Sequence, residues 1–156
     1  MKHVVTGWDH IFGPWFAEHN GSGQTSSWVP GKGHCIGLLD DQVGPIASCY
    51  VESYNGRSVL IHVASKGKNW LNREYLWFCF YYPFEQLKVH KIIAPVFSTN
   101  QPAINWTERC GFVLEATLKE ACPKGDLLLY TMVKEQCKWL SLKDRNSEQT
   151  LSARAA

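Results

Sequence analysis

Asn100-Gln101-Pro102-Ala103-Ile104-Asn105-Trp106-Thr107-Glu108-Arg109-Cys110-Gly111-Phe112 is the stretch that organises this 156-residue chain. It reads as one short helix over Asn100 to Cys110, closed by Gly111 at the C′ position, where a left-handed residue ends a helix most cheaply. Gly-Phe then leads into a strand over Phe112 to Lys119. A second strand over Leu127 to Lys134 follows the turn formers Pro123-Lys124-Gly125-Asp126. On the other side, the β-branched run Lys91 to Phe97 predicts a strand. Before it, Trp70 to Gln86 reads as a helix bounded by Asn69, with Leu71, Tyr75, Leu76, Phe78, Phe80, Tyr82 and Phe84 on nearly all sides, so it packs on more than one surface. Three β runs come earlier: Cys35 to Leu39, Pro45 to Tyr54 and Ser58 to Ala64. Asn55-Gly56 between the last two predicts a two-residue hairpin. Trp8 to His19 has apolar residues three and four apart and predicts a short helix interrupted near Gly13-Pro14.

The order is helix, β-β-β, helix, β, helix, β-β. A helix between the Ser58 to Ala64 and Lys91 to Phe97 strands is what a parallel crossover requires. The fold class is therefore α+β: a mixed, mainly antiparallel central sheet with one parallel crossover and flanking helices. A ligand fits such a sheet where the crossover helix begins and two central strands diverge.

Composition bounds the rest. The length suits one domain, placed at residues 1–140, and the polar run 141–156 reads as a flexible tail. Hydrophobic residues are 45% of the chain and aromatics 13%, with seven Trp, enough for a real core. Sixteen Lys and Arg against fourteen Asp and Glu give +2, too little for bulk nucleic-acid binding. No apolar run reaches the roughly 18 residues needed to span a bilayer. The first nine residues hold no apolar export signal, which points to the cytoplasm. The six cysteines form no C-x-x-C pair and read as reduced thiols, and the six histidines show no zinc-binding spacing, so no metal is expected. Asn20 to Ser27 and Pro30 to Gly33 are turn-rich. Trp28 between them either covers a substrate cleft or plugs the edge of the core.

The segment Val63-Ala64-Ser65-Lys66-Gly67-Lys68-Asn69-Trp70-Leu71 joins a strand to a helix through a short loop. Free N–H groups at a helix start beside Lys66 and Lys68 offer a pyrophosphate seat, although two solvated lysines in a common turn give the same pattern. Taken with the Asn100 to Phe112 stretch, the chain resembles the GNAT superfamily of acyl-CoA-dependent N-acetyltransferases. Members have an Asn, a small residue three later, and a Glu-Lys/Arg-x-Gly-Phe ending. The strands after Phe112 look like that family's terminal hairpin, and the likeness covers about residues 35–135, closest to small bacterial and phage members.

The resemblance implies an acetyl-CoA site. Lys66-Gly67-Lys68-Asn69-Trp70-Leu71 occupies the pyrophosphate loop, with Lys66 for the usual Gln or Arg, Asn69 for the first motif glycine, and Leu71, which would crowd the helix start, for a small residue. Val63 and Ala64 at the end of their strand would pair with the pantetheine arm through backbone groups, and Asn100 would touch it from the other side with Ala103 leaving room. Many members use a Tyr as general acid where this chain has Thr107, whose hydroxyl cannot serve comparably; Ser98 or water would substitute. For the base, His62 comes first because an imidazole suits amine deprotonation, and Glu52 on the neighbouring strand is the second choice. Structural roles stay open for both, as a core-edge histidine and an exposed strand carboxylate. The acceptor side is normally built from the first helices and following loops, here Trp8 to Pro30, which carries His10, Glu18 and His19 but no acidic cluster.

The expected function is N-acetyl transfer from acetyl-CoA directly to a primary amine of a small molecule or protein. The alternative is a non-catalytic binding or assembly module with a degraded CoA loop, including a homodimer through its aromatic surface. A base-modifying relative of the same fold is disfavoured by the low net charge.

Overall fold

The computed structural model describes residues 1–21, 27–68 and 70–140. The predicted tail at 141–156 and Asn69 lie outside the described residues. A seven-stranded sheet forms the centre, in the order β1-β2-β3-β4-β5-β7-β6. Its strands are β1 (Lys2–Val5), β2 (Gly33–Asp40), β3 (Gly44–Glu52), β4 (Ser58–Ser65), β5 (Lys91–Phe97), β6 (Val113–Cys122) and β7 (Gly125–Val133). Every neighbouring pair is antiparallel except β4 and β5. The α+β class and the single parallel crossover read from the sequence are the ones observed. β1 was not anticipated: four residues carry too short a pattern, and their pairing with β2 decides the matter.

Helix α1 (Asp9–His19) covers one face of β2, β3 and β4, where Phe12 and Phe16 pack with Cys35, Tyr50 and Ala64. It runs unbroken through Gly13-Pro14, contrary to the expected interruption. Pro14 deletes only one bond of the ladder and sits exposed, whereas Gly13 is needed for contact, since a Cβ there would lie 2.0 Å from Trp28 Cε2. Trp28 therefore plugs the α1 edge of the core. On the opposite face, α2 (Arg73–Tyr81) and α3 (Gln101–Cys110) pack into the larger core cluster. Tyr75 to Phe80 are all buried, and the Tyr75 hydroxyl donates to the Ile36 carbonyl at 2.8 Å, pinning α2 to β2.

The expected 70–86 helix is thus shorter. Asn72, not Asn69, caps it, its Oδ1 accepting from Tyr75 N at 2.6 Å. After Tyr81 a π turn over Tyr82–Gln86 takes up Pro83, which cannot donate to an α ladder. The Asn55-Gly56 turn is also longer than two residues. Asn55 Oδ1 accepts from both Arg57 N and Ser58 N, at 2.9 and 2.8 Å, and an Asx turn of that kind replaces the tight hairpin. All six cysteines are unpaired, five of them buried. Among the described residues no helix is long and apolar enough to cross a membrane.

Asn72→Ala is expected to destabilise the fold by about 1 kcal/mol through loss of the cap. Thermal unfolding should show Tm lower by about 2 to 4 °C; an unchanged Tm would mean that the Tyr75 contact alone sets the helix start.

Candidate active site

β4 and β5 pair over Ser58↔Lys91, Val59↔Ile92 and Leu60↔Ile93 and then part. β4 continues beside β3 as far as Ser65, and β5 continues beside β7 as far as Phe97. A wedge opens between the diverging strand ends, continuous with a cleft of about 1170 Å³ bounded by α2, α3 and the end of α1. Val63, Ala64, Gly67, Lys68, Trp70, Leu71, Asn100 and Ala103 all line it. A smaller cavity of about 240 Å³ around His34, Tyr81 and Tyr82 lies away from every predicted site residue.

The loop after β4 leaves Gly67 at φ +73° with nothing within 4 Å of the place a Cβ would take, so its backbone faces open space. Lys66 and Lys68 are exposed on either side. Leu71 is half exposed and stands before the Asn72 cap, so it does not crowd the helix start as expected. Asn69 lies outside the described residues. Across the cleft, Asn100 caps α3, its Oδ1 accepting from Ala103 N at 3.2 Å, which leaves its amide N–H groups as donors. Gly111 ends that helix at φ +102°. Trp70 and Trp106 bridge α2 and α3 with ring centroids 5.4 Å apart, and the enclosed Trp106 Nε1 has no partner.

The lining is strongly one-signed. Lys68, Arg73, Arg109 and Lys138 contribute cations, and among the described residues no Asp or Glu lines the cleft. Such a wall favours a polyanion. Cys110 also borders it, but burial pushes its thiol up to about 12, leaving it protonated and inert as a nucleophile.

The three candidate catalytic residues are distributed differently. His62 and Glu52 come together, Nε2 to Oε1 at 3.1 Å, on the α1 side of the sheet beside Phe16 and Tyr50. His62 is 5% exposed and is not among the cleft-lining residues. Ser98 is taken up by the sheet: its Oγ accepts from Asp126 N and its N–H donates to Asp126 O, both at 2.9 Å. Thr107 is buried. Tyr130 donates to Glu108 Oε1 at 2.9 Å, and burial, then that carboxylate, push its phenol up to about 12.

The neighbouring Tyr50 hydroxyl is enclosed with no partner in hydrogen-bond geometry. Burial, then the Glu52 carboxylate, push its pKa up to about 12. Tyr50→Phe should therefore leave Tm unchanged or slightly raised, because removing an unsatisfied hydroxyl relieves desolvation. A loss above about 1 kcal/mol would show that the hydroxyl is bonded.

Sequence reasoning did not single out Arg73, Trp106, Arg109 or Lys138, and placed His19 only in the acceptor region. Arg109 and Lys138 meet with β6 and β7 between them in the chain, Lys138 Nζ donating to Arg109 O at 3.1 Å, with no spacing in sequence to announce it.

No protein-family model and no curated protein matches the chain. Solved structures do. A point mutant of spermidine N-acetyltransferase from Vibrio cholerae superposes over 90% of this chain and 95% of its own, at 18% identity and TM-score 0.67. The same bacterium's spermidine N-acetyltransferase in complex with CoA and spermine covers 87% and 96%, at 17% identity and TM-score 0.64. A GNAT-family acetyltransferase from Bacillus anthracis covers 65% and 66%, at 19% identity and TM-score 0.55. The fold of this chain is the GNAT acetyltransferase fold.

Proposed function

We propose that the chain binds acetyl-CoA in the β4/β5 cleft and transfers its acetyl group directly to a primary amine. The observation that carries this reading is the coincidence of the strand parting with a cleft wall that holds four cations and no described carboxylate. A CoA-sized polyanion fits those features: the open Gly67 backbone with Lys66 and Lys68 for the pyrophosphate, Val63 and Ala64 with Asn100 for the arm, and Ala103 as a gap. The unpartnered Trp106 Nε1 offers a further donor. When bound, acetyl-CoA supplies a thioester whose carbonyl carbon is the electrophile. The chain's contribution is to seat the phosphates, align the arm along β4 and keep the reacting carbon at the wedge. His62 and Glu52 brace the acceptor side of β4 from behind, and the fixed Ser98 holds the β5 end of the wedge.

The acceptor stays at the level of a primary amine, on a small molecule or a protein. Structural neighbours include spermidine acetyltransferases, but the described lining here offers a polyamine no counter-charge. A non-catalytic acetyl-CoA-binding module is the second reading, favoured by the buried Thr107 where a phenol is usual. Loss of thioester absorbance with a panel of primary amines, and mass spectrometry of the amines, separates the two. Transfer above the uncatalysed rate is expected; binding of acetyl-CoA without transfer to any amine supports the module.

A further inference from the structure

We infer that His19, at the C-terminal end of α1, is the proton acceptor for the amine, an assignment that rests on the proposed acetyl transfer. His19 lines the cleft together with Val63, Ala64 and Ser65 of β4. Its ring is held in two ways. It stacks on Trp15, centroids 4.1 Å apart and planes 12° from parallel, and Nδ1 lies 2.9 Å from the Trp15 carbonyl oxygen. A carbonyl oxygen only accepts, so Nδ1 carries the proton of the neutral ring. The nitrogen left for the cleft is Nε2, with its lone pair available.

The rest of the lining sharpens the choice. Lys68, Arg73, Arg109 and Lys138 are proton donors, and the Cys110 thiol is held protonated by burial. Among the described lining residues, His19 carries the only imidazole, and an imidazole nitrogen lone pair accepts a proton where the lining hydroxyl and amide oxygens do not. His62 is buried and binds Glu52 through Nε2.

An arriving ammonium gives one proton to Nε2, which passes it to water at the cleft mouth. The amine lone pair then forms the C–N bond to the thioester carbon, and the C–S electrons leave on sulfur. The second N–H proton goes to Nε2 and from there to the thiolate. The balance is amide, CoA thiol and one released proton. A histidine that merely ends α1, held there by its hydrogen bond to the Trp15 carbonyl, would do none of this.

The test compares His19→Gln, His19→Ala and His62→Gln in loss of the acetyl-CoA thioester with n-butylamine, alongside the melting shift caused by acetyl-CoA. For His19→Gln we expect a wild-type melting shift and a rate about 100-fold lower or less. For His19→Ala we expect partial recovery on addition of imidazole, which a purely structural role would not give. Diethyl pyrocarbonate should modify His19, and CoA should protect it. A wild-type rate in His19→Gln, absence of imidazole rescue with loss confined to His62→Gln, or unprotected modification while CoA still shifts melting overturns the assignment. Absence of both melting shift and rate in the wild type overturns the acetyl-transfer reading, and this inference with it.

Discussion

Acetyl-CoA at a hundred times its dissociation constant is expected to stabilise the protein by about 2.7 kcal/mol, raising Tm by roughly 5 to 10 °C for a domain of this size. Gly67→Trp is expected to abolish that rise. Gly67 sits in the left-handed region, and no atom lies within 4 Å of where its Cβ would be. A glycine needed for packing would have neighbours there, as Gly13 and Gly37 do. An indole there blocks approach of a phosphate to the backbone, and its Cβ meets nothing in the fold. The substituted protein should therefore keep most of its own Tm, losing about 1 kcal/mol to backbone strain, and lose the ligand response. Absence of a shift in the unsubstituted protein at millimolar acetyl-CoA would count against the cofactor site. A shift that survives Gly67→Trp would place the pyrophosphate elsewhere.

The second large effect concerns α1. Phe12→Ala is expected to destabilise the protein by about 3 to 5 kcal/mol, roughly 10 °C or more in Tm. The Phe12 ring is fully buried, and it presses on Gly37 so closely that a Cβ there would be 2.3 Å from Phe12 Cζ. No neighbour can move in to fill the void, because β2 and β3 are held in register beneath it. The Ser48 hydroxyl, which donates to the Phe12 carbonyl at 3.2 Å, fixes the same turn of the helix. A fall of only 2 or 3 °C would mean that Phe16 and Trp28 dock α1 without it. The effect bears on function because α1 carries His19 into the cleft.

Periodicity and turn chemistry made much of this fold legible. The α3 stretch shows its terminal glycine in one line of sequence, and Gly111 takes the expected left-handed φ; Asn100, read there for a ligand contact, caps the helix by accepting from Ala103 N. β5 was equally plain, since a β-branched run between polar neighbours has few alternatives. What escaped was decided by tertiary contact. Gly13-Pro14 looks like a helix break, and only the Trp28 ring against Gly13 shows why it is not. The α2 start moved three residues because Asn69 and Asn72 are equally good caps in isolation, and the packing of Tyr75 against Ile36 selects the second. The wall of the site was legible on its β4 and α3 sides, where glycine, lysine and asparagine sit in a recognisable order. Arg109 on α3, His19 on α1 and Lys138 in the turn after the last element reach it from separate parts of the chain, and no spacing encodes their meeting.

The most direct measurement is amide hydrogen exchange with and without CoA. Added protection is expected at residues 63–68 and 100–104, the two walls of the wedge where β4 leaves β5, with little change around the smaller cavity at His34 and Tyr82. Protection confined to that cavity, or no protection at saturating CoA, would contradict the account.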